Sequence, residues 1–282
     1  MAEIIPERNK GIEIPALGEG KEPVTTLKVL LRYLFRGRTL GIASIIIIWQ
    51  LVSMFSPEDT LPTPYVVFKV LIFNVILEKK FFLHVGATLL RIIIGFCIAS
   101  AIGFGMGVLM GITRYWEKFF LDYVTVGLTL PTLTWAIIGV LWFGIHPLTP
   151  TFSAVLIAFP YVAVNIWAGI KDVDKELIEM GRAFDAPKRR IIWHVYFPSL
   201  LPFIFAAIRI GISVSWKIVV LAEVFGSSEG IGYMIFYWYQ MFDMESVLAW
   251  VLVFVFIMLI LEYGILKRLE RRLLIWRPQA IL

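Results

Sequence analysis

Four charged residues stand inside strongly apolar stretches of this chain: Arg91, Arg209, Lys217 and Glu223. A lipid-facing Lys or Arg at mid-bilayer costs at least about 2.5–3.5 kcal/mol, so such residues face a cavity or a partner. Arg209, Ser213 and Lys217 recur at i, i+4 and i+8, on one face of a helix. Lys217 lies about 21 Å along its apolar run at 1.5 Å per residue, past the midplane and too deep to snorkel easily. In a poorly hydrated pathway a fixed positive charge attracts an anion far more strongly than in bulk water. The stripe is therefore a candidate electropositive wall for a small anion. A second arrangement pairs Lys217 with Glu223. The two are six residues apart, on different faces of one helix, so that pair must form between helices or subunits. Arg209 is shallower and suits an anchor at the inner interface equally well. Arg91 suits an interhelical clamp or a place on the pathway. Asn165, Trp135 and Trp142 complete the pathway candidates, with helix packing and an interhelical hydrogen bond as the alternative roles.

Covalent chemistry finds less support. The chain has no phosphate-cradling Gly-rich loop ending in Lys-Ser/Thr. His84, His146 and His194 are scattered, with no second ligand at metal spacing. Cys97 is the single cysteine and sits in an apolar run, so a disulfide framework is ruled out and packing explains it. An integral-membrane enzyme would need a His/Glu/Asp cluster or an activated nucleophile at a membrane surface, and none is visible. A receptor or structural membrane protein is the other alternative class.

The elements that must carry these residues are transmembrane helices. Of 282 residues, 59% are hydrophobic and only 17% charged, and mean hydropathy is +0.83, which excludes a soluble globular protein. Runs of about 17–25 apolar residues, enough to cross a bilayer, predict six spans near 40–55, 82–112, 119–143, 149–170, 203–225 and 246–266. The second is too long for one straight crossing and requires tilt or an extension. Its Gly103, Gly107 and Gly111 make small-xxx-small pairs that suit close helix packing. Pro131 should kink the third span, and 24–38 and 64–80 read as amphipathic surface helices. The first 24 residues, with Pro, Gly and mixed charge but no apolar core, read as a soluble tail rather than a signal peptide. The expected organisation is an N-terminal tail and amphipathic helix at 1–39, a transmembrane domain at 40–266 and a C-terminal tail at 267–282.

With the N-terminus inside, cytoplasmic segments hold 20 of the 26 Lys and Arg, and the outer ones only Lys69, Lys79 and Lys80. This positive-inside asymmetry places both termini and the 171–202 segment in the cytoplasm. It also accounts for the net charge of +5 without nucleic acid. The outer segment 226–243 is glycine-hinged and aromatic, fitting either a shallow re-entrant element or an interfacial aromatic belt.

The polar, basic stretch EMGRAFDAPKRRIIWHVYFPSLLP at 179–202 reads as two short helices joined by a tight turn. Asp185 and Pro187 suit an N-cap and a first-turn proline for the second. Small residues at Gly181, Ala183 and Ala186 leave the first helix shallow and dockable. The segment resembles the cytoplasmic "EAA" loop of ABC-importer permeases. Glu179, Arg182, Ala183, Ala186 and Pro198 match that loop. Met180, Gly181 and Asp185 stand where the family usually has Ala, Ala and Gly, and the last is a helix C′ position with φ > 0 that Asp tolerates. Further stretches recur in the branch handling nitrate, sulfonate, taurine or bicarbonate: LPTP (61–64), TLLRIIIGF (88–96), PTLTWAIIGVLWFGI (131–145), NIWAGI (165–170), AEVFGSSEGIGY (222–233) and LERRLLIW (269–276).

The resemblance implies an all-α, six-helix, type I importer permease in the cell membrane, working as a homodimer by alternating access. It implies two ABC ATPase subunits, which carry ATP and Mg and dock on the loop containing Glu179, and an extracytoplasmic solute-binding protein. No cofactor is expected on this chain. The implied cargo is a small anion of the nitrate, bicarbonate, sulfonate or taurine class, with a neutral or heterocyclic vitamin precursor as the alternative.

Overall fold

The computed structural model describes residues 37–57 and 59–268, all in helices and their connections. The tail and amphipathic helix expected before residue 37, and the LERRLLIW stretch, lie outside the described residues. The chain divides into two compact units, 1–51 and 52–282, the division falling inside the first apolar helix. That helix, α1 (Gly37–Phe55), has an Ile-rich middle at 42–48 and is largely exposed. A backbone in hydrocarbon must bond to itself, which is why these apolar runs become helices.

In the second unit, α2 (Pro64–Val70) opens with Pro64 in its first turn, where a missing N–H costs nothing, and continues as a π-helical turn, Leu71–Ile76. The amphipathic helix expected at 64–80 therefore ends four residues early. The 32 residues of α3 (Phe81–Ile112) extend about 48 Å at 1.5 Å each. They pack along α6 (Leu148–Lys171), and the glycine ridge is what lets the two backbones meet. A Cβ at Gly103 would fall 2.5 Å from the Phe159 carbonyl oxygen, and one at Gly107 2.6 Å from that of Ala163. Val162, Ile166 and Ala207 continue the core towards the helix Phe197–Gly226, and Met110, Val124 and Ala163 towards α4 (Arg114–Thr129).

At Pro131 the predicted kink is a full break: α4 and α5 (Thr132–Phe143) meet at 98°. Proline forces the preceding residue out of the helical region, and Leu130 is extended at φ −65°, ψ 134°. Asp174 caps α7 (Lys175–Ala183), its Oδ1 accepting from Glu176 N at 2.8 Å. The short α8 (Lys188–Ile191) runs through a π-helical turn, Ile192–Tyr196, into α9 (Phe197–Gly226), so the fifth apolar segment begins well before residue 203. Within the segment 226–243 the chain folds as α10 (Ile231–Gln240), and α11 (Met244–Leu259) with a final π-helical turn completes the described chain. Among the described residues, four helices are long and apolar enough to cross a membrane, or five with the bent pair as one. Thr39–Phe55 is shorter.

Candidate functional site

Polar side chains collect at three places in the second unit. The first is a buried charge cluster where α3, α9 and the start of α10 converge. Arg91 donates from Nη1 to Glu223 Oε1 at 2.7 Å and to the Glu229 carbonyl at 2.7 Å. The side chains are 7% and 0% exposed. Thr88 Oγ1 donates to Glu223 Oε2 at 2.9 Å and accepts from Ile231 N at 2.9 Å. Gly232 N donates to Glu223 Oε2 at 3.0 Å, and Gly230 N to His84 Nδ1 at 3.2 Å. Every charge in the cluster is thus matched by an opposite charge or a hydrogen bond, the condition under which such a group survives in a dry interior.

Gly230 and Gly232 of GSSEGIGY pack directly against this cluster. Gly230 has φ +119°, and a Cβ there would sit 2.3 Å from Glu223 Cδ. A Cβ at Gly232 would come within 2.0 Å of the Val220 carbonyl oxygen. The cluster revises two pathway candidates. Glu223 is fully enclosed, and Arg91 is a clamp between α3 and α9. Thr88 and His84, one and two helical turns before Arg91, were given no role by the sequence, since a hydroxyl and an imidazole in an apolar helix carry no pattern until their partner, 135 or 146 residues away, is in place.

The second place is the remaining stripe on α9. Arg209 Nε donates to Glu262 Oε1 at 2.7 Å, so its charge is matched and it is not a bare wall residue. Ser213 is half-buried. Lys217 is exposed while Trp216 and Ile218 on either side are 0% exposed, and among the described residues it has no hydrogen bond or ion pair. It does not pair with Glu223. Asn165 Nδ2 donates to the Tyr161 carbonyl at 2.8 Å within its own helix. Trp135 lines an open, almost wholly apolar groove at the α4–α5 bend, together with Tyr123, Val126, Leu156 and Phe159.

The third place is the segment after α6. Lys171 Nζ meets Glu117 Oε2 at 2.7 Å, tying the end of α6 to the start of α4. Beyond it, Glu179 and Ala183 are exposed on α7 and Arg182 is exposed in the same turn, with Met180 at 53% and Phe184 at 82% exposure. Gly181 packs towards α8, and a Cβ there would lie 3.2 Å from Ile191 Cγ1. Asp185 has φ +49°. Asp185 N donates to the Arg182 carbonyl at 3.0 Å and Ala186 N to that of Gly181 at 2.9 Å, the paired bonds of a Schellman ending. Asp185 is thus the C′ residue of α7. It does not cap the next helix: the cap position of α8 is Pro187, which makes no side-chain bond. Pro198 lies in the first turn of α9.

Known proteins match this arrangement. Residues 99–275 fit the family model described as the binding-protein-dependent transport system inner membrane component. A Bacillus subtilis protein named as an aliphatic sulfonates transport permease is 32% identical over 238 residues, covering 83% of this chain and 85% of its own. The formylaminopyrimidine transport permease protein of Halalkalibacterium halodurans is 29% identical, covering 86% and 96%. The chain belongs to the binding-protein-dependent transport inner membrane component family. It is a membrane-embedded permease subunit of an ABC importer, a transport component rather than an enzyme, and its partners are in general an ATPase and a binding protein. The fold of this permease is the type I importer fold: a chain of the MetNI methionine ABC transporter, solved in inward-facing conformations, superposes with a TM-score of 0.58 at 18% identity, covering 67% of this chain and 94% of that one.

Proposed function

We propose that the permease works as a homodimer by alternating access and conducts a small anion past Lys217. The observation that carries the reading is the contrast among charges in apolar helices. Arg91, Glu223 and Arg209 are paired, whereas Lys217 is exposed on α9 with no partner among the described residues. A lysine left without a partner in a membrane helix marks a pathway by default. The sulfonate named for the Bacillus subtilis relative supports an anionic cargo. The formylaminopyrimidine named for the other relative supports the alternative, a heterocyclic precursor.

In this reading residues 40–266 form the transmembrane domain, the 171–202 segment is the coupling element, and both termini face the cytoplasm. Two ATPase subunits, carrying ATP and Mg, receive Glu179, Gly181, Arg182, Ala183, Asp185 and Ala186 in a groove. The exposed Met180 and Phe184 supply apolar contact area beside that polar edge. The binding protein delivers cargo at the opposite face, and the permease holds no cofactor.

Lys217→Met keeps the apolar stem and removes the charge. In proteoliposomes containing the full complex it should lower uptake of labelled anion well below wild type, with ATPase assembly intact, and Lys217→Arg should retain part of the activity. Wild-type uptake by the Met variant would make Lys217 a structural residue and end the anion-wall reading.

A further inference from the structure

We propose that Arg209 and Glu262 form a latch between α9 and the far end of α11, one that opens and closes in each transport cycle. The inference rests on the alternating-access reading and names a contact that must move within it.

The first half of α11 is held firmly and the second is not. Among the described residues from 244 onwards, Ser246, Ala249, Trp250 and Val253 are buried, and none after Val253 is. Trp250 packs against Phe81 and His84 of α3, with ring centroids 6.0 Å apart in each case. Phe254 then stacks on Trp216 of α9 at 5.3 Å. Beyond that stack Val255, Phe256, Leu259 and Ile260 are exposed. Arg209 comes seven residues before Trp216, and Glu262 eight residues after Phe254. The ion pair therefore closes two antiparallel segments about 10–12 Å past the stacked rings, at 1.5 Å per residue.

This pair differs from Arg91–Glu223 in the property that a latch needs. The Arg209 side chain is 51% exposed and that of Glu262 17%. Water and salt reach it, so the attraction is weak and the pair parts at low cost. The buried pair cannot part without stranding a charge. Glu262 also lies in the π-helical turn Ile260–Leu266, a distortion of the helix ladder that is frequent at functional sites. By contrast α9 is fixed here. Ala207 sits in the core with Val162 and Ile166, and a Cβ at Gly211 would lie 2.6 Å from the Phe96 ring. The moving part is therefore the arm 255–266, with the Trp216–Phe254 stack as its pivot. Its release opens the seam at the Arg209 end of the stripe that carries Lys217.

The test needs no solute. In a Cys97→Ala background, Ile210→Cys and Ile260→Cys place exposed thiols on α9 and on the arm, with Arg209 and Glu262 left intact. The full complex in proteoliposomes is treated with a flexible, reducible bifunctional thiol reagent, either without nucleotide or trapped with ATP and vanadate. Bridging rates should differ by at least about threefold between the two states, as for a contact made in one and broken in the other. Adding Glu262→Gln should remove the difference, and the exchange Arg209→Glu/Glu262→Arg should restore it. The bridged complex should hydrolyse ATP roughly tenfold more slowly, and reducing the bridge should return the rate. Equal bridging in both states, or a difference that survives Glu262→Gln, overturns the proposal. So does unchanged ATP hydrolysis by the bridged complex. A purely structural pair would lower the melting temperature in Glu262→Gln and leave the bridging rates alike. Lys217→Cys, labelled alone in the same two states, reports alternating access by itself. A state-dependent rate there with none at the thiol pair removes the latch and leaves that reading standing.

Discussion

Individual side chains in this permease divide into those whose charge is matched within the chain and those whose charge is not. Arg91 and Glu223 show the first kind. Their desolvation is offset only jointly, so removing one partner leaves a buried charge, at a cost of about 3–5 kcal/mol. Arg91→Met should therefore lower the melting temperature of the detergent-solubilised complex severely, while the Arg91→Met/Glu223→Met double variant should recover part of the loss. A double variant no better than the single would show that Thr88 and Gly232, which also donate to Glu223, carry the cluster instead. Asp185 is a smaller case. A left-handed backbone costs an ordinary L-residue roughly 1–2 kcal/mol, and Gly none. Asp185→Gly should be neutral or slightly stabilising and Asp185→Ala destabilising by about 1 kcal/mol, read from thermal melts. An Ala variant more stable than the Gly variant would contradict the assigned C′ position.

Between elements, glycines set how closely backbones approach. Gly232→Ala would drive a methyl into the Val220 carbonyl and against Glu223 Cβ, where backbone cannot yield cheaply. The start of α10 should then lift from α9, breaking the Gly232–Glu223 bond and exposing the 227–232 turn. Hydrogen exchange at Gly230–Gly232 measures this, and unchanged protection would show that α10 is held by other contacts. By contrast, a methyl at Gly86 or Gly105 would meet nothing within 4 Å, so alanine there should leave the same measurement unmoved.

Across the whole complex, the proposed reading has motion pass from the ATPase to the helices through α7. α7 is closed at both ends, by the Asp174 cap and by the Schellman bonds to Gly181 and Arg182. Gly181→Trp or Glu179→Lys should keep the permease inserted yet separate ATP hydrolysis from uptake, as measured by both activities in the same proteoliposomes. Normal coupling in both variants would place the docking surface elsewhere.

Apolar runs, the Glu179–Pro202 segment and the glycine ridge of α3 were legible in the sequence because each depends on neighbours a few residues away. Helix periodicity and a small-xxx-small spacing are local properties, and the helices and the close approach of α3 to a neighbour follow from them, whereas that Asp185 ends α7 instead of capping α8, and that the neighbour is α6, was decided by the structure. The sequence also marked Arg91, Lys217 and Glu223 as needing partners or water, since charge in hydrocarbon is costly wherever it lies. Which charge meets which was settled only by the tertiary structure. Glu223 chose Arg91, 132 residues away, over the nearer Lys217, because one helix cannot turn both of its faces to the same neighbour. Proline at 131 announced a bend but not its 98° angle, which rests on where α4 and α5 each find packing. The groove that Trp135 and Phe159 line became visible only once that bend had formed, for a groove between helices belongs to no single segment of the chain.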